Sequence, residues 1–231
     1  MSDLIDTTEM YLRTILELEE EGRVPLRARI VERLEHSGPT VSQTIARMER
    51  DGWVSVADDR RLELTAQGRK KAVQVMRKHR LAERLLYDVI GLEWHHVHEE
   101  ACRWEHVMSE RAERRIMEIV EKPTHSPYGN LIPGLEELGL VTRGVFVMPS
   151  QPIMSIFIDR AIREFEAVIN CIGEHGQSDA QVLQELAAAG LKPGVRASFV
   201  LDGKRVRLQA HGQSAAVELS REAADQIFVT E

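Results

Sequence analysis

The sequence predicts a mainly α-helical protein with small β parts, divided among more than one domain. Three observations carry this. Apolar residues recur at helical spacing over 3–20, 26–34, 41–48 and most of 66–120. Two short strand-like runs, Trp53–Val56 and Leu62–Leu64, flank the charged turn Asp58-Asp-Arg-Arg61 and read as a hairpin. Several short strand-like runs then fill the end of the chain, and 231 residues exceed what one small core takes.

The first helix is written in Leu4, Ile5, Met10, Leu12, Ile15, Leu16 and Leu18, with a capping-box pattern at Asp6-Thr-Thr-Glu9 and a stop at Gly22. A second helix over 26–34 aligns Leu26, Ile30, Val31 and Leu34. His36-Ser-Gly-Pro-Thr40 is a turn into a third helix, in which Ser37 caps and Pro39 is tolerated only in the first turn. Val41, Ile45 and Met48 make that helix amphipathic, and Gly52 ends it. After the hairpin, Thr65 caps a further helix. Helix, helix, tight turn, helix and charged hairpin outline a winged helix-turn-helix, whose third helix would enter the major groove of DNA.

From 66 to 120 the pattern is helical with a break at Gly91, and the prolines and glycines of 123–134 read as a loop-rich hinge. Ile153–Ile162 fits a strand or a helix. Ala167–Ile172, a helix over 179–189, and runs at 195–201, 205–210, 215–219 and 227–230 form a small strand-rich C-terminal domain, with turns at Asp202-Gly203 and His211-Gly212.

Composition narrows the function. With 43% hydrophobic and 29% charged residues the chain reads as a globular protein, and no run approaches the roughly 18 apolar residues of a membrane helix. The acidic N-terminus resembles neither a secretory signal nor a transit peptide. Cys102 and Cys171 are the only cysteines, so a disulfide framework is excluded and a cytoplasmic location is expected. The net charge of −7 hides an uneven distribution: −6 over residues 1–22, but fourteen Lys and Arg against seven acids over 23–80. Such a basic block is either an electrostatic footprint for phosphates or a solvated charged face.

Residues 76–106 hold ligand-type side chains. His79 and Glu83 are spaced i, i+4, and His98, Cys102 and His106 form an i, i+4, i+8 series with Glu105 beside the last. Imidazole, carboxylate and thiolate are ligands for divalent transition metals, and a helical face gathers them in advance. A lone helical histidine or buried cysteine is usually structural; five such residues on two consecutive faces point to metal. There is no His-Glu-x-x-His, Gly-x-Ser-x-Gly or phosphate-loop pattern, which argues against an enzyme. His95 and His96 read as solvated. Aromatics make up 5% of the chain and do not interleave with Arg, which disfavours single-strand binding.

These residues resemble the diphtheria toxin repressor family, the iron-dependent transcriptional regulators of high-GC Gram-positive bacteria. The likeness is dense in Asp6-Thr-Thr-Glu-Met-Tyr-Leu-Arg-Thr14, Ser37-Gly-Pro-Thr-Val-Ser-Gln43, Met76-Arg-Lys-His-Arg-Leu-Ala-Glu83 and Glu100-Ala-Cys-Arg-Trp-Glu-His-Val-Met-Ser109. It runs from residue 2 to about 139 and is patchy beyond, where Val141-Thr-Arg-Gly-Val-Phe-Val-Met-Pro149 replaces the usual linker and Cys171 departs from the pattern.

The resemblance implies a winged helix-turn-helix over 1–73, a helical dimerisation and metal-binding domain over 74–140, a linker over 141–165 and an SH3-like domain over 166–231. It implies two metal sites per subunit. Met10, Cys102, Glu105 and His106 would form the primary site; His79, Glu83, His98, Glu174 and Gln177 the ancillary one. Arg80, Ser126 and Asn130 would bind an anion. On the expected recognition helix Ser37, Pro39, Thr40 and Gln43 would face bases, while Arg27, Ala28, Arg47, Arg50 and Arg60 would meet phosphates. The reading is an iron(II)-activated, sequence-specific repressor, a homodimer on palindromic DNA with one or two dimers per operator. Cobalt, nickel, zinc and manganese would be substitute metals, since ligand type alone does not select iron. Two alternatives are a winged-helix repressor sensing a small organic ligand and, from another class, a metalloenzyme using His79, Glu83, His98 and Cys102.

Overall fold

A computed structural model describes residues 6–140 and 150–230. Helix α1 (Thr7–Glu20) begins where the Asp6 carboxylate accepts from the Thr8 and Glu9 amides at 2.8 and 3.2 Å. Only this half of the expected capping box is used, because Glu9 turns its own carboxylate to His106 and Lys71. Helices α2 (Arg27–Leu34) and α3 (Gly38–Arg50) follow, with the Ser37 hydroxyl accepting from the Thr40 amide at 3.3 Å. Tyr11, Leu12 and Ile15 of α1 share a closed core with Ile30, Val41, Ile45 and Met48. This leaves the opposite side of α3 in solvent.

Strands β1 (Val54–Val56) and β2 (Leu62–Leu64) pair antiparallel, Val54 opposite Leu64 and Val56 opposite Leu62. Their turn closes with the Arg60 amide donating to the Ala57 carbonyl at 2.8 Å, and Arg60 takes the left-handed bulge position at φ 69°. The wing then docks on α4 (Ala66–Arg84), which Thr65 caps at the Gly68 amide. A side chain at Gly68 would put its Cβ 1.9 Å from the Trp53 carbonyl oxygen, so only glycine lets the helix approach that closely.

Helix α4 carries the chain out of the first core into a second. It passes into a π-helical turn at Leu85–Ile90, ends at Gly91 (φ 77°), and is followed by α5 (Trp94–Trp104) and α6 (Glu110–Ile119). Periodicity showed the break at Gly91 but not the one between α5 and α6, where Ser109 caps the new helix. The expected hinge at 123–134 is instead a pinned loop. Tyr128 is fully buried and donates to the Trp94 carbonyl at 2.6 Å, and a Cβ at Gly129 would lie 2.1 Å from the Asn170 carbonyl oxygen.

The expected linker over 141–165 is also corrected in part. Residues 141–149 lie outside the described residues. Beyond them β3 (Gln151–Pro152) pairs with the last strand, and α7 (Ile153–Asp159) buries Ile153, Met154, Ile156 and Phe157 in the core. The rest comprises β4 (Glu164–Ile172), α8 (Glu174–Gln177), α9 (Ala180–Ala188), β5 (Arg196–Asp202), β6 (Arg205–Ala210), β7 (Ala216–Ser220), α10 (Arg221–Ala224) and β8 (Ile227–Thr230). The strands form one antiparallel sheet in the order β3-β8-β4-β5-β6-β7.

This β domain rests on both of the others. Helix α9 packs on α5, with Lys192 Nζ 5.1 Å from the centre of the Trp94 ring. Arg23, after α1, pairs with Asp225 at 2.5 Å. The docking brings α8 against the seam between α1 and α4.

Candidate metal centre

At that seam the side chains of three elements converge. His79 and Glu83 come from one face of α4, His98 and Cys102 from one face of α5, and Glu174 and Gln177 from α8. One ligand atom each of His79, Glu83, His98 and Glu174 can be chosen so that all lie within 4.8 Å of one another, and all four residues are buried. His79 Nε2 is 2.8 Å from Glu83 Oε1 and 3.2 Å from His98 Nδ1. Glu83 Oε2, Glu174 Oε2 and Gln177 Oε1 are buried yet accept no hydrogen bond. Two orphaned carboxylate oxygens beside two imidazoles are what a divalent cation would satisfy and what an apolar core would not tolerate. The donor set fits a metal.

The electrostatics agree. Burial opposes charge on both imidazoles, but Glu83 holds the pKa of His79 well above its usual value, and Cys102 with Glu83 takes His98 up to about 10. Burial would raise the Cys102 thiol; His98, Arg13 and His79 overcome it and hold the pKa well below that of a free thiol. Glu174 is held far below the usual carboxylate range, against its burial, chiefly by Arg80. The pocket is a dense set of paired charges.

The four residues expected in the primary site are drawn together in part: Glu105 Oε1 lies 3.2 Å from His106 Nε2, and Arg13 Nη1 touches both Cys102 and Glu105. Cys102 lies with His79 and His98. Glu105 accepts from Arg13 at 2.5 Å and lies 2.7 Å from His79 Nδ1. His106 Nδ1 meets Glu9 at 2.7 Å, and Met10 packs against the core of the first domain. The expected anion trio is engaged otherwise. Arg80 is buried, donating to Glu174 at 2.8 and 3.0 Å, to Glu20 at 2.6 Å and to the Leu131 carbonyl at 2.5 Å. Asn130 donates to the Ile172 carbonyl, and the Ser126 hydroxyl accepts from the Tyr128 amide. Internal carboxylates, Glu20 and Glu174, pair with Arg80.

On the first domain, Ala28, Ser37, Pro39, Thr40, Gln43, Arg47, Arg50 and Arg60 are all exposed and Arg27 is half-buried. Ser37, Pro39, Thr40 and Gln43 lie in the cap and first turns of α3, with Arg47 and Arg50 in its last turn. Sequence reasoning missed the charged stripe of α1. Glu9, Arg13 and Glu17 are spaced i, i+4, i+8 on a helix otherwise apolar toward the core, and that spacing was the available signal.

Residues 3–62 match the sequence model described as "Iron dependent repressor, N-terminal DNA binding domain", and residues 65–134 match "Iron dependent repressor, metal binding and dimerisation domain". The diphtheria toxin repressor of Corynebacterium glutamicum is 52% identical over 99% of this chain and 98% of its own. The chain belongs to the iron-dependent repressor family. The iron-dependent repressor IdeR of Mycobacterium tuberculosis is 56% identical over 85% of this chain and 84% of its own. Among solved structures, a manganese-dependent transcriptional repressor in complex with manganese superposes with a TM-score of 0.80 at 25% identity, covering 97% of this chain and 100% of that one. The T. acidophilum IdeR gives 0.73 at 28% identity, with 98% of each chain covered.

The repressor is therefore a metal-activated, DNA-binding transcriptional regulator that acts as a homodimer, and not an enzyme. Membership sets aside both the organic-ligand sensor and the metalloenzyme. Among the described residues no helix is long and apolar enough to cross a membrane.

Proposed function

We propose that the physiological metal is iron(II), bound at two sites per subunit, and that the loaded homodimer represses by occupying palindromic operator DNA, one or two dimers per operator, in the cytoplasm. The observation that supports this best is the buried donor cluster itself. His79, Glu83 and His98 stand ready on the helical domain, and the β domain delivers Glu174 and Gln177 with free oxygens. These five form the ancillary site. Met10, Cys102, Glu105 and His106 form the primary site. The mixed thiolate and thioether donors there favour a softer metal than an all-oxygen site would, with cobalt, nickel, zinc and manganese as substitutes in vitro.

A bound divalent ion supplies positive charge and directional bonds among elements that otherwise meet through replaceable ion pairs. The chain's own residues do the rest. Exposed Ser37, Pro39, Thr40 and Gln43 on α3 read base edges, and Arg27, Ala28, Arg47, Arg50 and Arg60 fix register on phosphates. Val89, Ile90 and Val107, 52%, 55% and 59% exposed in the helical domain, are large apolar side chains that the partner subunit would cover.

The test is operator-fragment binding with iron(II) and with chelator, in wild type and variants. Cys102→Ala, Glu105→Ala and His106→Ala each abolish metal-dependent binding, whereas His79→Ala and His98→Ala raise the metal needed without abolishing it. Retained activation in Cys102→Ala would remove the primary site as assigned. Binding indifferent to chelator would remove the reading.

A further inference from the structure

We propose that Arg13 is an internal placeholder cation for the primary site: its guanidinium holds the ligands Cys102 and Glu105 in the metal-free protein and has to give them up when metal binds. Arg13 Nη1 donates to Glu105 Oε2 at 2.5 Å and to Cys102 Sγ at 3.5 Å, and lies 3.1 Å from His79 Nδ1. Its Nε meets Glu17 Oε1 at 2.8 Å. One guanidinium thus touches two of the four proposed primary ligands and one ancillary ligand, from a helix that belongs to the DNA-binding domain.

The charge argument makes this more than packing. Glu105 and Glu17 are buried carboxylates, and an uncompensated charge in such a place is strongly unfavourable. Arg13 pairs with Glu105 and offsets the burial of Glu17 in part. A guanidinium cannot vacate its role by deprotonation near neutral pH, so the site opens only if the side chain moves. A divalent ion competes for the same Glu105 and Cys102 atoms and repels the guanidinium.

Where Arg13 goes is also built in. Glu17, one helical turn on, already holds its Nε, so the side chain keeps a carboxylate when it loses Glu105. Met10 sits one turn before Arg13 on the same helix, so gaining a ligand at Met10 and releasing Arg13 are both events of α1. The exchange therefore bears on the first helix of the DNA-binding domain rather than on a peripheral loop.

The inference rests on Cys102 and Glu105 being metal ligands, and the experiment separates the two. Cobalt(II) is titrated against a competing chelator into the full-length dimer, and the thiolate-to-cobalt charge-transfer absorption reports ligation by Cys102. Arg13→Met removes the placeholder charge and should tighten cobalt binding at the thiolate site by at least about tenfold, roughly 1.4 kcal/mol. Arg13→Lys keeps a positive charge and should tighten cobalt binding less than the neutral variants do. Arg13→Gln carries the same expectation as Arg13→Met should the methionine variant lose its thermal transition. Unchanged or weaker binding in the neutral variants, or equal tightening in Arg13→Lys, overturns the placeholder role. Absence of the thiolate absorption in wild type, or its survival in Cys102→Ala, removes the metal-site assignment and the placeholder with it.

Discussion

Replacing Arg80 with methionine tests whether this residue joins the domains or serves an external anion. Its guanidinium is buried between Glu174 of the β domain, Glu20 of α1 and the Leu131 carbonyl. Methionine keeps much of the stem volume and removes the charge, leaving the buried Glu174 without its nearest cation and with only His79 and His98 at 3.5 and 3.7 Å. Breaking one side of a buried pair costs about 3–5 kcal/mol. Glu20 is a third exposed, so its share adds at most about 1 kcal/mol. At about 2–4 °C per kcal/mol for a chain of this size, the unfolding midpoint of the metal-free protein should fall by about 6–24 °C. A divalent ion at the ancillary site returns positive charge to Glu174, so adding cobalt should raise the midpoint of the variant more than that of wild type. Thermal unfolding followed by circular dichroism, with and without cobalt, measures both. A loss below about 1 kcal/mol, or equal metal-induced increments, would refute the bridging role.

Other outcomes follow from the same geometry. Arg47→Ala should weaken binding to all DNA sequences and flatten the salt dependence, whereas Gln43→Ala should blur preference at one base pair; fluorescence anisotropy across a salt series and a set of substituted operators distinguishes the two. Burial, with Glu174 adding to it, raises the Glu17 pKa from 4.5 to about 7 despite the pull of Arg13. The folded state then holds an extra proton between those values, so stability falls as pH rises through about 4.5 to 7, by up to about 3 kcal/mol. Glu17→Gln should therefore gain midpoint over wild type at pH 8 relative to pH 5, and a pH-independent difference would contradict this. Gly129→Ala forces a Cβ onto the Asn170 carbonyl at φ 87°, and should undock the β domain and lower metal affinity at the ancillary site while leaving metal-free DNA affinity unchanged.

What the sequence conveyed, and what it did not, has a common physical basis. The helices of the first domain were plain because each buries one stripe on one core, and Ser37, Thr65 and Gly52 mark their ends by local chemistry. The strands over 196–220 were plain because each is short, alternates in burial and is set off by a turn, and Ile227–Thr230 because it is a short apolar run. Ile153–Asp159 was ambiguous because a short helix buried over most of its surface shows neither period. The loop at 123–134 looked mobile by composition, yet its glycine is there for close contact with β4. Spacing along α4 and α5 showed His79, Glu83, His98 and Cys102 as one group. The pairs Arg13–Glu105, Glu20–Arg80 and Arg80–Glu174 join residues 60 or more positions apart, and no local pattern reports such distances.

The sheet order has a consequence for how a newly made repressor acquires metal response. Strand β8 lies between β3 and β4, so the sheet that presents Glu174 and Gln177 cannot close until residue 230 has been translated. The winged helix is complete by Leu64. At about 5–20 residues per second the interval between the two is roughly 8–30 s. During that time each nascent chain carries a DNA-reading surface and the proposed primary ligands but only the helical-domain share of its ancillary site, so full sensitivity to metal comes later than the ability to read DNA.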